Sequence, residues 1–116
     1  MTIMIVDDNK GMREVIKNTL APLKVQLIEC NDGSEAIRLY AELMPDFVLM
    51  DLAMKNVDGL SAVGEIRNTH PDAKIIMLTD YSDRFFRQTA KDSGAFAYVL
   101  KENLHELPVI INSSLQ

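Results

Sequence analysis

Phe47-Val48-Leu49-Met50-Asp51 is four apolar residues in a row closed by an aspartate. A strand with one wetted face alternates apolar and polar residues, whereas an unbroken apolar run belongs to a strand covered on both sides. The same design recurs on either side of this stretch. Ile3 to Val6 is followed by Asp7 and Asp8, Lys74 to Leu78 by Thr79, and Ala97 to Leu100 by Lys101, while Gln26 to Cys30 makes a fifth, more mixed strand.

Between these runs the apolar spacing changes to three and four, which is the helical period. Met12, Val15, Ile16, Thr19, Leu20 and Leu23 place one stripe on a first helix. Gly33 to Leu43 reads as a second helix with Ala36, Ile37 and Tyr40 inward, stopped by Pro45. The third runs from about Gly59 to Thr69 with Leu60, Val63 and Ile66 on the core side, and His70-Pro71 ends it. Asp83 to Ser93 is the fourth, with Asp83 as N-cap and Gly94 at the C′ position. Pro108 is tolerated only in a first turn, so a fifth helix begins near His105 and turns Leu107, Ile110 and Ile111 inward. Strict alternation with right-handed crossovers gives an α/β, flavodoxin-like, doubly wound domain: a five-stranded parallel sheet in the order 2-1-3-4-5 with five helices. A chain of 116 residues accommodates one such domain, 1–116, and no second.

Composition narrows the function. Hydrophobic residues at 47% and charged residues at 25% are those of a globular protein. A net charge of -5 argues against direct nucleic-acid binding, which draws its affinity from Lys and Arg against phosphates. A single cysteine, Cys30, forms no intramolecular disulfide, and we read it as a small buried hydrophobe. The first residues read as a strand and not a signal peptide, and no apolar stretch reaches membrane-spanning length, so a cytoplasmic location is expected. Met4, Met50 and Met77 lie within strands and serve as core filling.

In doubly wound sheets ligands sit beyond the carboxyl ends of the strands, where the strand order reverses. Asp7, Asp8, Asp51, Thr79 and Lys101 all follow strands and converge there. An Asp-Asp pair after a strand also serves as a turn or helix cap, and a lone lysine at a strand end is ordinarily solvated. The four strand ends together are what point to chemistry. Three carboxylates in one cleft raise one another's pKa values unless a cation shares the site. A hard divalent ion fits, and magnesium in particular takes one or two carboxylates together with a phosphate oxygen. Zinc does not fit, because His70, His105 and Cys30 lie elsewhere along the chain. A carboxylate is also a competent nucleophile toward phosphorus, with Lys101 balancing the phosphoryl charge and Thr79 offering a hydroxyl.

Over essentially its whole length the chain resembles the receiver domains of bacterial two-component response regulators. The resemblance rests on Ile5-Val6-Asp7-Asp8-Asn9, on Met50-Asp51-Leu52-Ala53-Met54 with Val57-Asp58-Gly59, on Met77-Leu78-Thr79, and on the block from Ser93 to Lys101. It implies that Asp51 accepts a phosphoryl group from a sensor histidine kinase or a histidine phosphotransfer protein. Mg2+, or Mn2+ in its place, would be held by Asp8 directly, by Asp7 partly through water, by Asp51 and by the Ala53 carbonyl. Thr79 and Lys101 would assist the transfer. Thr79 and Tyr98 would form a switch pair that remodels the face of the fourth helix, fifth strand and fifth helix, through which a homodimer can form. No direct contact with nucleic acid or membrane is implied, and transfer and hydrolysis serve signalling, so this is a switch and not a metabolic enzyme. An effector domain elsewhere in a longer protein is compatible with all of this, as is a stand-alone regulator.

Three positions depart from the family pattern. Lys55 replaces a frequent proline and alters loop stiffness only. Glu102 replaces another proline, and a cis peptide there would cost about 3 kcal/mol, so a trans bond is expected. Asp80 stands where a small residue is usual, and a fourth carboxylate beside the phosphoryl site would slow phosphorylation or alter the lifetime of the phosphorylated state. Two rivals remain in view. An aspartate-nucleophile phosphatase places a second aspartate two residues after its nucleophile, and here Ala53 occupies that position. A degenerate receiver would bind its partner without phosphorylation. A flavin-binding module is disfavoured, because Asp7 and Asp8 would repel its phosphate.

Overall fold

The computed structural model describes residues 1–52, 54, 59–80 and 84–114, apart from the side chains at 85 and 86. Five strands and five helices alternate: β1 Thr2–Val6, α1 Lys10–Leu20, β2 Gln26–Cys30, α2 Gly33–Leu43, β3 Phe47–Asp51, α3 Gly59–Thr69, β4 Ile75–Thr79, α4 Arg84–Asp92, β5 Ala97–Leu100 and α5 Leu107–Ser113. The strands form one parallel sheet in the order β2-β1-β3-β4-β5, the doubly wound arrangement expected. β2 lies at an edge, which accounts for its mixed sequence. Its Glu29 reaches outward to pair with Arg13 at 3.0 Å and Lys17 at 3.3 Å on α1.

The sheet separates two apolar layers. On one face Met4, Val6, Val48, Met50, Ile75 and Met77 pack against Ala36 and Tyr40 of α2, Ala62, Val63 and Ile66 of α3, and Ala90 of α4. On the other, Ile3, Ile5, Phe47, Leu49, Ile76, Leu78 and Val99 pack against Ile16 and Leu20 of α1 and Leu107 and Ile111 of α5. The three strand methionines are fully buried, as core filling requires.

Local signals set several boundaries. The Asn9 side chain caps α1 by accepting from the Met12 N–H, and Asp32 caps α2 through the Glu35 N–H. Gly94, at φ +90°, closes α4: its N–H donates to the Lys91 carbonyl and the Ala95 N–H to the Ala90 carbonyl, so it occupies the C′ position read from the sequence. The proposed Asp83 cap lies outside the described residues, as do Lys55 and Asp58.

The structure corrects three details. Val15 is 49% exposed and does not belong to the buried stripe of α1, which is narrower and centred on Ile16 and Leu20. The helix also stops at Leu20, and a short 3-10 turn, Ala21–Leu23, follows with Pro22 inside it. At the other end of the chain a 3-10 segment, Lys101–Glu106, takes up the residues around His105, so α5 begins at Leu107 with Pro108 in its first turn. Leu104 in that segment is buried against the α1 and α5 layer. No cis peptide occurs among the described residues.

At the amino ends of the strands a cleft of about 480 Å³ is bordered by Tyr40, Met44, His70 and Lys74. The Tyr40 and His70 rings meet edge-on at 5.0 Å.

Candidate functional site

Strand parity collects the charged groups. Side chains alternate between faces along a strand, so Asp7 follows Ile3 and Ile5, Asp51 follows Phe47 and Leu49, and Lys101 follows Val99 onto the side covered by α1 and α5. β3 extends one residue further than its apolar run suggested, and Asp51 pairs in register with Leu78 of β4.

Asp7, Asp8 and Asp51 each present a carboxylate oxygen within 4.8 Å of the others. Asp7 and Asp51 are buried and Asp8 is exposed. The Lys101 ammonium lies 3.0 Å from Asp51 Oδ1, 3.7 Å from Asp7 Oδ2 and 4.0 Å from Asp80 Oδ2. Asp7 Oδ1 accepts the Asn9 N–H at 2.8 Å, whereas its buried Oδ2 has no hydrogen-bond partner. Burial pushes the Asp7 carboxyl above its ordinary value and Asp8 adds to the rise, against the Asn9 N–H and the charges of Lys101 and Arg13. For Lys101 burial acts downward, yet the hydrogen bond to Asp51 and the charges of Asp51, Asp7 and Asp80 together leave it raised. A buried carboxylate oxygen that accepts no hydrogen bond, among three acids, is a site short of positive charge. A hard divalent cation fits it.

Thr79 is buried at the end of β4, in register with Leu100 of β5. Tyr98 is half-buried two residues earlier on β5, packed at the margin of the α2, α3 and α4 layer, with the Arg87 guanidinium carbon 5.7 Å from its ring centre. The acidic residues and Lys101 therefore share one site with Thr79 at its border, while Tyr98 sits on the opposite apolar layer. The proposed Ala53 ligand lies outside the described residues. His105 is exposed and Cys30 buried, and neither His70, His105 nor Cys30 enters the cluster.

Two contributors escaped the sequence reading. Arg13 donates from Nη1 to the Asp7 carbonyl at 2.7 Å, tying the acidic turn to α1. Gly59 was read as a turn and helix start; it is also the point where α3 meets Asp51. A Cβ there would overlap the Asp51 carbonyl oxygen, and the Gly59 N–H donates to the Leu52 carbonyl at 3.0 Å. Only the Asp58-Gly59 pair hinted at either role.

Comparison with known proteins points to one family. Residues 3–112 match the family model described as response regulator receiver domain. The regulatory protein AtoC of Escherichia coli is 35% identical over 98% of this chain and 25% of its own length. The chemotaxis protein CheY of Listeria monocytogenes is 33% identical over 87% of this chain and 86% of its own. The receiver domain of the histidine kinase CKI1 from Arabidopsis thaliana, solved in complex with Mg2+, superposes with a TM-score of 0.88 at 26% identity, covering 97% of this chain and 90% of that one. The chain spans a quarter to about half of the length of several curated relatives it matches. No helix among the described residues is long and apolar enough to cross a membrane.

Proposed function

Because the chain belongs to the response regulator receiver domain family, we propose that it is a phosphorylation-controlled switch of two-component signalling with Asp51 as its phosphoacceptor. The observation that carries this reading is the buried Asp51 carboxylate, 3.0 Å from the Lys101 ammonium and within ligand distance of two further acids. An Asp51 oxygen forms the bond to phosphorus as the bond to a phosphohistidine nitrogen of a sensor kinase or phosphotransfer protein breaks with its electron pair. Lys101 balances the charge on the phosphoryl oxygens and the Thr79 hydroxyl donates to one of them. Asp7, Asp8 and Asp51, with the Ala53 carbonyl, would hold Mg2+ or Mn2+, which supplies charge neutralisation at the phosphoryl group. The Asp7 Oδ2 atom, buried without a hydrogen bond, and the Mg2+ in the related CKI1 receiver support that assignment.

Thr79 and Tyr98 form the switch pair, reporting to the surface of α4, β5 and α5, where a second copy or an output partner docks. Turnover is limited to slow self-phosphorylation and dephosphorylation, residues 1–116 act as one receiver unit in the cytoplasm, and any contact with DNA belongs to another domain. Intact mass after treatment with acetyl phosphate and magnesium tests the reading. Wild type should gain one phosphoryl group and Asp51→Asn none. An equal gain in the variant would refute Asp51 as acceptor. No gain in wild type would favour a binding module that works without phosphorylation, the second reading, which the crowding of Lys101 by Asp80 supports. Steady hydrolysis of a phosphomonoester would favour a phosphatase.

A further inference from the structure

Lys101 has three carboxylate neighbours, and they are not equivalent. Asp51 at 3.0 Å and Asp7 at 3.7 Å are buried, but Asp80 at 4.0 Å is 74% exposed, one residue past the end of β4. The Lys101 side chain itself is only 14% exposed, so Asp80 marks the solvent side of the ammonium.

Resting on the phosphoacceptor reading above, we propose that Asp80 selects phosphodonors by their charge. The ammonium stays 3.0 Å from Asp51, and the exposed Asp80 carboxylate, 4.0 Å from that ammonium, adds a further negative charge beside the site. In the step concerned, an Asp51 oxygen bonds to phosphorus while the donor's bond to its leaving group breaks, and the leaving group departs with the pair. Acetyl phosphate, doubly negative at neutral pH, loses acetate. Phosphoramidate, with a net single negative charge and its nitrogen already protonated, loses ammonia. Repulsion by Asp80 weighs more heavily on the more anionic donor. A pair with one wetted partner adds little to stability, so the residue is better explained by what it does to an approaching anion.

The test measures phosphoryl uptake by wild type, Asp80→Asn and Asp80→Glu with magnesium, from both donors, at low and high salt. Asp80→Asn should accelerate uptake from acetyl phosphate about threefold and from phosphoramidate less than twofold, with the difference shrinking as salt rises. Asp80→Glu, which keeps the charge, should behave as wild type, and the melting temperatures of all three should coincide. Equal acceleration with both donors, acceleration by Asp80→Glu, or indifference to salt would each overturn the proposal while leaving Asp51 as acceptor. Absence of uptake in wild type itself would remove the phosphoacceptor reading and this inference with it.

Discussion

The two ends of the sheet are made by the same five strands and treat polar groups in opposite ways. At the amino ends several polar groups have partners. The Thr2 N–H donates to Asp46 Oδ2 at 2.8 Å, the Arg67 guanidinium donates to the carbonyls of Pro71 and Ala73, and the Lys74 ammonium lies 5.6 Å and 5.8 Å from the ring centres of Phe47 and Phe96. At the carboxyl ends three acids crowd together, and a buried oxygen of Asp7 is left without a hydrogen bond. One end is arranged for stability, and the other gives up stability to keep negative oxygen available. This is the pattern expected where a site is held ready for a cation.

The contrast can be broken most severely where the carboxyl end rests on α3. Gly59→Ala drives a methyl into backbone at Asp51, and we expect a loss of about 3 kcal/mol, the upper range for overpacking, read by urea denaturation. Nearly unchanged stability would mean that the approach of α3 to Asp51 is not tight. A smaller effect of opposite sign is expected from Asp7→Asn. Removing one of the crowded charges should stabilise the metal-free protein by about 1 kcal/mol while weakening magnesium binding, as melting curves with and without the ion will show. The pH dependence follows from the same group. Its carboxyl is raised in the folded state, so folding takes up a proton, and Asp7 makes the metal-free protein more stable as pH falls through that raised value. Asp7→Asn should remove this component of the pH profile.

Gly64, in the same helix as Gly59, meets nothing within 4 Å where a Cβ would stand. Gly64→Ala should therefore stabilise by about 0.5–1 kcal/mol through helix propensity alone, which sharpens the claim that Gly59 is special because of Asp51. At the amino end Lys74→Ala should cost about 0.5 kcal/mol, the size of an exposed cation–π contact, and leave phosphoryl uptake unchanged.

Much of this was legible in the sequence because burial on both faces writes itself as unbroken apolar runs, and because the residue closing each run falls at one edge of the sheet. Asp7, Asp8, Asp51, Thr79 and Lys101 were placed at that edge by this logic alone. What escaped is governed by contacts between distant elements. The Val15 spacing matched a helical stripe, but α1 is covered over too narrow an arc to bury it. Gly59 carries the signal of a turn, and nothing in its neighbours announces the carbonyl of Asp51. Arg13 looks like an ordinary surface residue of α1 until the acidic turn is folded beside it. The 3-10 segment after Lys101 has no periodicity long enough to be distinguished from the start of a helix.

The alternation of side chains along β3, β4 and β5 also makes the sheet a partition. By parity Asp7, Asp51 and Lys101 continue the rows of residues that pack against α1 and α5, whereas Met77 and Tyr98 belong to the layer of α2, α3 and α4. A change that begins at the charged edge and ends at the Tyr98 ring would therefore have to pass through the sheet itself, from one layer to the other.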